Sequence, residues 1–127
     1  MAVAKTQAAN ELHTADSVSP HKLISLLMAW TLERVSQAKQ CIDGGNDADK
    51  MVLLGKIVAI VKGLRGSLDF KAGGDIAVNL DTLYAYMLSS LDGADTIEQQ
   101  ILALDEISNL MVEVKTGWDG IDTDVAA

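Results

Sequence analysis

Large apolar side chains recur every three or four residues through almost all of the chain between positions 20 and 118, and no segment shows the alternation of a half-buried strand. The first periodic segment opens at Ser19-Pro20, where the serine hydroxyl can cap free backbone N–H groups and the proline takes the first helical position, at which its missing donor costs nothing. Leu23, Leu27 and Trp30 carry the pattern to about Asp43, and Gly44-Gly45 supplies a left-handed stop. A second helix is predicted from Asn46 or Asp47 to about Leu68, with Leu54, Ile57, Val58, Val61, Leu64 and Leu68 on one side. Its glycines, Gly55, Gly63 and Gly66, each weaken it by about 1 kcal/mol relative to alanine, which predicts close packing or a bend.

A turn is expected over 69–74. The third helix then starts at Gly74 or Asp75, places Ile76, Leu80, Leu83, Tyr84, Met87, Leu88 and Leu91 on one side, and ends at Gly93. Thr96, followed three residues later by Gln99, forms a capping-box pattern that opens a fourth helix, whose stripe is Ile97, Ile101, Leu104, Ile107, Met111, Val114 and Trp118. Four helices of roughly 20 residues on short links describe an all-α antiparallel four-helix bundle about 30 Å long. The predicted organisation is a mobile N-terminal tail over 1–18, the bundle over 19–118 and an acidic C-terminal tail over 119–127. At 127 residues, 49% of them apolar and only one a proline, the chain suits a single helical domain.

The apolar arcs are wider than a bundle core requires. At about 100° per residue, the large apolar side chains of the first helix cover roughly 240°, against little more than about 100° for a core-facing stripe. Tyr86 and Leu88 widen the third helix in the same way, and Val78 falls outside even that arc. Neighbouring helices can cover such flanks, or a partner's amphipathic helix can; periodicity leaves both open. Charge is uneven as well. The second helix carries Lys50, Lys56, Lys62 and Arg65 with no acid between Lys50 and Asp69, and the fourth carries Glu98, Asp105, Glu106 and Glu113. Opposite-sign pairing inside the bundle is the simpler explanation, and guidance of an acidic partner segment the other.

A formal net charge of −8 disfavours nucleic acid and anionic lipid as partners. Cys41 has no second cysteine to pair with, the first residues lack the pattern of a signal peptide, and no apolar run approaches the roughly 20 residues of a membrane span. A cytoplasmic location is expected. Catalytic and metal-binding chemistry find little footing, and no cofactor is implied. His13 falls in the tail and His21 in the first turn of the first helix, where a solvated surface role is expected, and the Glu-x-x-His pairs of di-iron bundles are absent from the sequence. Gly55-Lys56 lacks the rest of a phosphate-binding loop, and Asp119, Asp122 and Asp124 lack the closing glutamate of a calcium loop. Cys41 shares a helical line with Leu23, Leu27 and Trp30 and is expected in the core, where a thiol acts as a small apolar group. Trp30 and Trp118 are expected as core anchors and Tyr84 as a buried stripe residue, while Tyr86 on the flank is the better contact candidate.

Leu64 to Asp69 (LRGSLD), the Gly73-Gly74-Asp75-Ile76-Ala77 turn, and Asn79, Leu80, Leu83, Tyr84, Tyr86 and Met87 together resemble the flagellin export chaperone family, FliS. The likeness extends from Ser19-Pro20 and Leu23 through Gln37-Ala38-Lys39 to Trp118. It implies a non-catalytic cytoplasmic chaperone that binds the disordered C-terminal region of flagellin, prevents premature polymerisation and helps deliver it to the flagellar type III export gate. The partner surface is then drawn from the flanks of the second and third helices: Leu53, Ile57, Ile60, Leu64, Val78, Thr82 and Tyr86. Family members commonly carry tyrosines in the N-terminal tail, whereas here no aromatic residue precedes Trp30. A monomer is expected, and a helical adaptor for a different amphipathic helix is the alternative.

Overall fold

A computed structural model describes residues 19–121; the expected N-terminal tail, and the acidic segment after Ile121, lie outside the described residues. Four α-helices make up the described part: α1 (Pro20–Asp43), α2 (Asp47–Gly66), α3 (Phe70–Asp92) and α4 (Ile97–Asp119). Each start has a side-chain cap. Ser19 Oγ accepts from the Lys22 N–H at 3.1 Å, and Asn46 Oδ1 accepts from the Asp49 N–H at 3.2 Å. Thr96 and Gln99 exchange side-chain and backbone hydrogen bonds, both at 3.1 Å, completing the expected capping box. Gly45, at φ 70°, takes the left-handed conformation between α1 and α2.

The α2–α3 connection differs from the expected open turn. Asp69 caps a helical turn that begins at Phe70, its Oδ1 accepting from the N–H groups of Lys71 and Ala72 at 3.0 Å each. The break then falls on one residue, Gly74, at φ 50° and ψ −125°. That conformation matches the first central position of a type II′ turn, which glycine alone occupies without strain. Sequence periodicity places the start of α3 too late because Asp69 is a strong cap and Gly74 absorbs the change of direction.

Connections this short make successive helices antiparallel, and α4 returns to pack against α1, so that each helix touches two neighbours around the bundle. The α1–α2 seam is the most extensive and the α3–α4 seam the least. Met28, Val35, Ile57, Val61, Leu64, Tyr84, Met87, Leu104, Ile107 and Met111 form the centre of the core. Each such side chain stabilises the fold by about 1.5–3 kcal/mol through burial.

The inward face of α1 is His21, Ser25, Met28, Thr31, Val35 and Ala38, rather than the Leu23, Leu27, Trp30 line. The larger residues on that line are half-buried, and Cys41 is half-buried too instead of lying in the core. Part of the wide arc of α1 therefore has an internal cause, since Leu27 and Leu32 on its flanks pack against the core cluster. The glycines of α2 have a different environment from the expected one. A Cβ built on Gly55, Gly63 or Gly66 would have no neighbour within 4 Å, so no close packing inside the bundle requires them.

Ion pairs bridge adjacent helices. Lys39 Nζ lies 2.5 Å from Asp105 Oδ1 across α1 and α4, and Arg65 Nε lies 2.6 Å from Asp81 Oδ1 across α2 and α3. The bases of α2 do not pair with the acids of α4, because those two helices are not neighbours around the bundle. Lys50, expected on the basic face, is buried and paired with Asp47 at 2.6 Å.

The end of the bundle where α1 begins and α4 finishes is fastened by polar groups. His21 is buried, not solvated: its Nε2–H donates to the Trp118 carbonyl at 2.6 Å, and Trp118 Nε1–H donates to the His21 carbonyl at 2.8 Å. The two rings stack with centroids 4.9 Å apart. Ser25 Oγ donates to Asp119 Oδ1 at 2.6 Å, and Lys115 Nζ donates to Asp119 Oδ2 at 2.7 Å. The hydrogen bonds from Lys115 and Ser25 hold the Asp119 carboxyl below its ordinary pKa. Asp119, which the sequence reading assigns to the acidic tail, is the last residue of α4.

Candidate partner-binding surface

Val78, Thr82 and Tyr86 recur every fourth residue and form an exposed stripe along α3, with Val78 52% and Tyr86 49% accessible. Thr82 is exposed, and its hydroxyl donates to the Val78 carbonyl at 3.1 Å. Tyr86 Oη donates to Glu106 Oε1 of α4 at 2.5 Å. That hydrogen bond raises the phenol pKa of Tyr86 and fixes its ring on the α3–α4 side. Two residues earlier, on the opposite side of α3, Tyr84 is buried, and desolvation pushes its phenol up to about 12.

The α2 candidates divide. Ile57 and Leu64 are 0% and 1% exposed and belong to the core, so no partner can touch them while the bundle is closed. Leu53 and Ile60 are half-buried. Leu53 borders an open furrow of about 610 Å³ between α1 and α2, together with Gln37, Gln40, Cys41, Val52 and Lys56. The stripe of α3, by contrast, reaches α4 through Tyr86. Thus the α2 and α3 candidates do not converge on one groove.

A second concavity was not foreseen. At the end closed by His21 and Trp118, an apolar cleft of about 370 Å³ opens between the start of α1, the end of α2, the first half of α3 and the end of α4. Leu23, Ile24, Leu68, Ile76, Leu80 and Trp118 are among its lining residues. Periodicity assigns all of these but Ile24 to stripes, and it carries no information on how tightly the helix ends converge. The antiparallel topology, which brings positions near 20, 70 and 120 to one end, was the available signal.

Among the described residues, no group of three or more histidine, cysteine, aspartate or glutamate side chains could hold a metal ion, and no helix is long and apolar enough to cross a membrane. The arrangement offers apolar surface with hydrogen-bonding rims, which suits binding of another chain.

The sequence profile described as "Flagellar protein FliS" matches residues 2–125. Flagellar secretion chaperone FliSB of Pseudomonas aeruginosa is 45% identical over 115 residues, covering 91% of this chain and 90% of that protein. Flagellar secretion chaperone FliS of Vibrio cholerae is 38% identical over 105 residues, covering 83% of this chain and 76% of that protein. The Salmonella typhimurium protein of the same name is 32% identical over 106 residues, with 83% and 78% covered. With nearly the whole chain matched and a four-helix fold around the motifs that carry the likeness, the chain belongs to the FliS family of flagellar secretion chaperones.

Proposed function

We propose that this protein is a cytoplasmic chaperone that binds the disordered C-terminal segment of flagellin, keeps it from polymerising early and hands it to the flagellar type III export apparatus. The observation that carries this reading is the match to named flagellar secretion chaperones over most of the chain. The exposed Val78, Thr82 and Tyr86 stripe supports it, since apolar side chains at fourfold spacing suit an amphipathic helix laid along α3. Leu53 and Ile60 supply a further contact strip on α2. Binding then orders the flagellin segment, and the apolar area it buries must exceed that entropic cost.

Calorimetric titration with a flagellin C-terminal peptide tests the proposal. Val78→Ser and Tyr86→Ala should each weaken binding by about tenfold, since contact residues lose their partner only in the complex. Because both side chains are half-exposed, the melting temperature should change little. No binding by the parent protein would sink the flagellin reading and favour the adaptor alternative. Unchanged affinity in both variants would move the contact away from α3.

A further inference from the structure

The turn between α2 and α3 forms one wall of the apolar cleft, through Leu68, Asp69, Ala72 and Gly73. This wall is stiff within itself. Asp69 Oδ1 holds two of its N–H groups, and the Gly73 N–H donates to the Asp69 carbonyl at 2.7 Å. It is loosely held to everything else: Phe70, Lys71 and Ala72 are exposed, and Leu68 is the one side chain of the turn that packs against the core cluster. At one end lies Gly74, in a conformation that only glycine adopts freely, and at the other the Ser67 cap of α2, whose hydroxyl donates to the Leu64 carbonyl at 2.7 Å.

A stiff unit with a break at each end and a single apolar anchor is the construction of a flap. We propose that residues 68–73 are a hinged lid on the cleft, turning about Gly74 and Ser67 and giving access to the buried face beneath. Gly73 is the seat of the lid. A Cβ there would come 2.9 Å from the Cβ of Ala77, which is 3% exposed and lines the cleft. Lifting the turn uncovers Ala77 first, and Leu64 and Tyr84 lie in the same cleft. The lid is a property of the fold and does not depend on which partner the protein binds.

Thiol labelling of the full chain tests it. In a Cys41→Ser background, Ala77→Cys places a reporter under the lid, and Ala38→Cys places one deep in α1 as a control for global unfolding. Leu68→Ala removes the anchor, and Gly73→Ala props the lid against residue 77. Each should accelerate reaction of the Ala77→Cys thiol with an aromatic disulfide reagent by about tenfold or more, while the Ala38→Cys thiol keeps its rate. The two variants act by different routes, so failure of one to fold leaves the other decisive. No acceleration in a folded variant, or an equal acceleration at position 38, would overturn the proposal.

Discussion

Trp118→Phe isolates the fastening between the two ends of the described chain. The substitution keeps an aromatic ring but removes the Nε1–H that reaches the His21 carbonyl at 2.8 Å across a separation of 97 residues. Losing that hydrogen bond costs about 1 kcal/mol, given that the carbonyl is only partly buried. The smaller ring gives up apolar contact worth about 0.5 kcal/mol. It also weakens the stack on His21, now at 4.9 Å and an interplanar angle of 14°, by about a further 0.5 kcal/mol. The sum is about 2 kcal/mol, or a fall in melting temperature of about 8 °C for a domain of this size. Urea unfolding followed by far-ultraviolet circular dichroism measures the loss without relying on the deleted fluorophore. His21→Ala completes a double-mutant cycle. Because the residue 21 carbonyl survives that change, the coupling reports the difference between the two ring stacks alone and should be about 0.5 kcal/mol. A loss below about 0.5 kcal/mol for Trp118→Phe, with zero coupling, would show that the pair is ornamental and that packing elsewhere holds the two ends together.

Gly63→Ala should stabilise the protein by about 0.5–1 kcal/mol, seen as a higher urea midpoint, because the added methyl gains helix propensity and meets no neighbour. Alkaline titration should reveal Tyr84: its folded pKa, raised to about 12 by burial, exceeds the unfolded value near 10, so its contribution is complete below the unfolded value and is lost as pH rises through the folded one. Stability should therefore fall above about pH 10, and Tyr84→Phe should flatten that fall; an unchanged slope in the variant would assign the effect to other groups.

The helices were legible because their ends are written in local chemistry. Ser19-Pro20, the Thr96 and Gln99 box and Gly93 each act within a few residues, and each stands where the pattern predicts. What lies across the bundle was less accessible. Periodicity points the core face of α1 the wrong way because Leu23, Leu27 and Trp30 are larger than Ser25 and Thr31, yet the buried face is the one that carries Ser25, Met28, Thr31 and Val35. Thr31 can be buried there because its hydroxyl donates to the Leu27 carbonyl at 3.0 Å, a local bond that removes the penalty of burial. The sequence places His21 on the surface for a similar reason: its partner lies in α4, at a distance along the chain that no window can see. The candidate surface suffered from the same limit, since a flank position on α2 gives a core residue at Ile57 and a half-exposed one at Ile60 three residues later.

The order of helices around the bundle also has a kinetic meaning. Three of its four seams join helices adjacent in sequence, so most of the fold assembles through short-range encounters of the kind that proceed in microseconds to milliseconds. Only the α1–α4 seam needs distant segments to meet, and it carries the His21–Trp118 stack, the Ser25–Asp119 hydrogen bond and the Lys39–Asp105 pair. Closing so long a loop requires chain entropy to be given up before its contacts form. The seam is therefore a late step: a defect at Trp118 should leave the folding rate almost unchanged and appear in the unfolding rate, so that the durability of the bundle, more than its speed of formation, is set where the two ends meet.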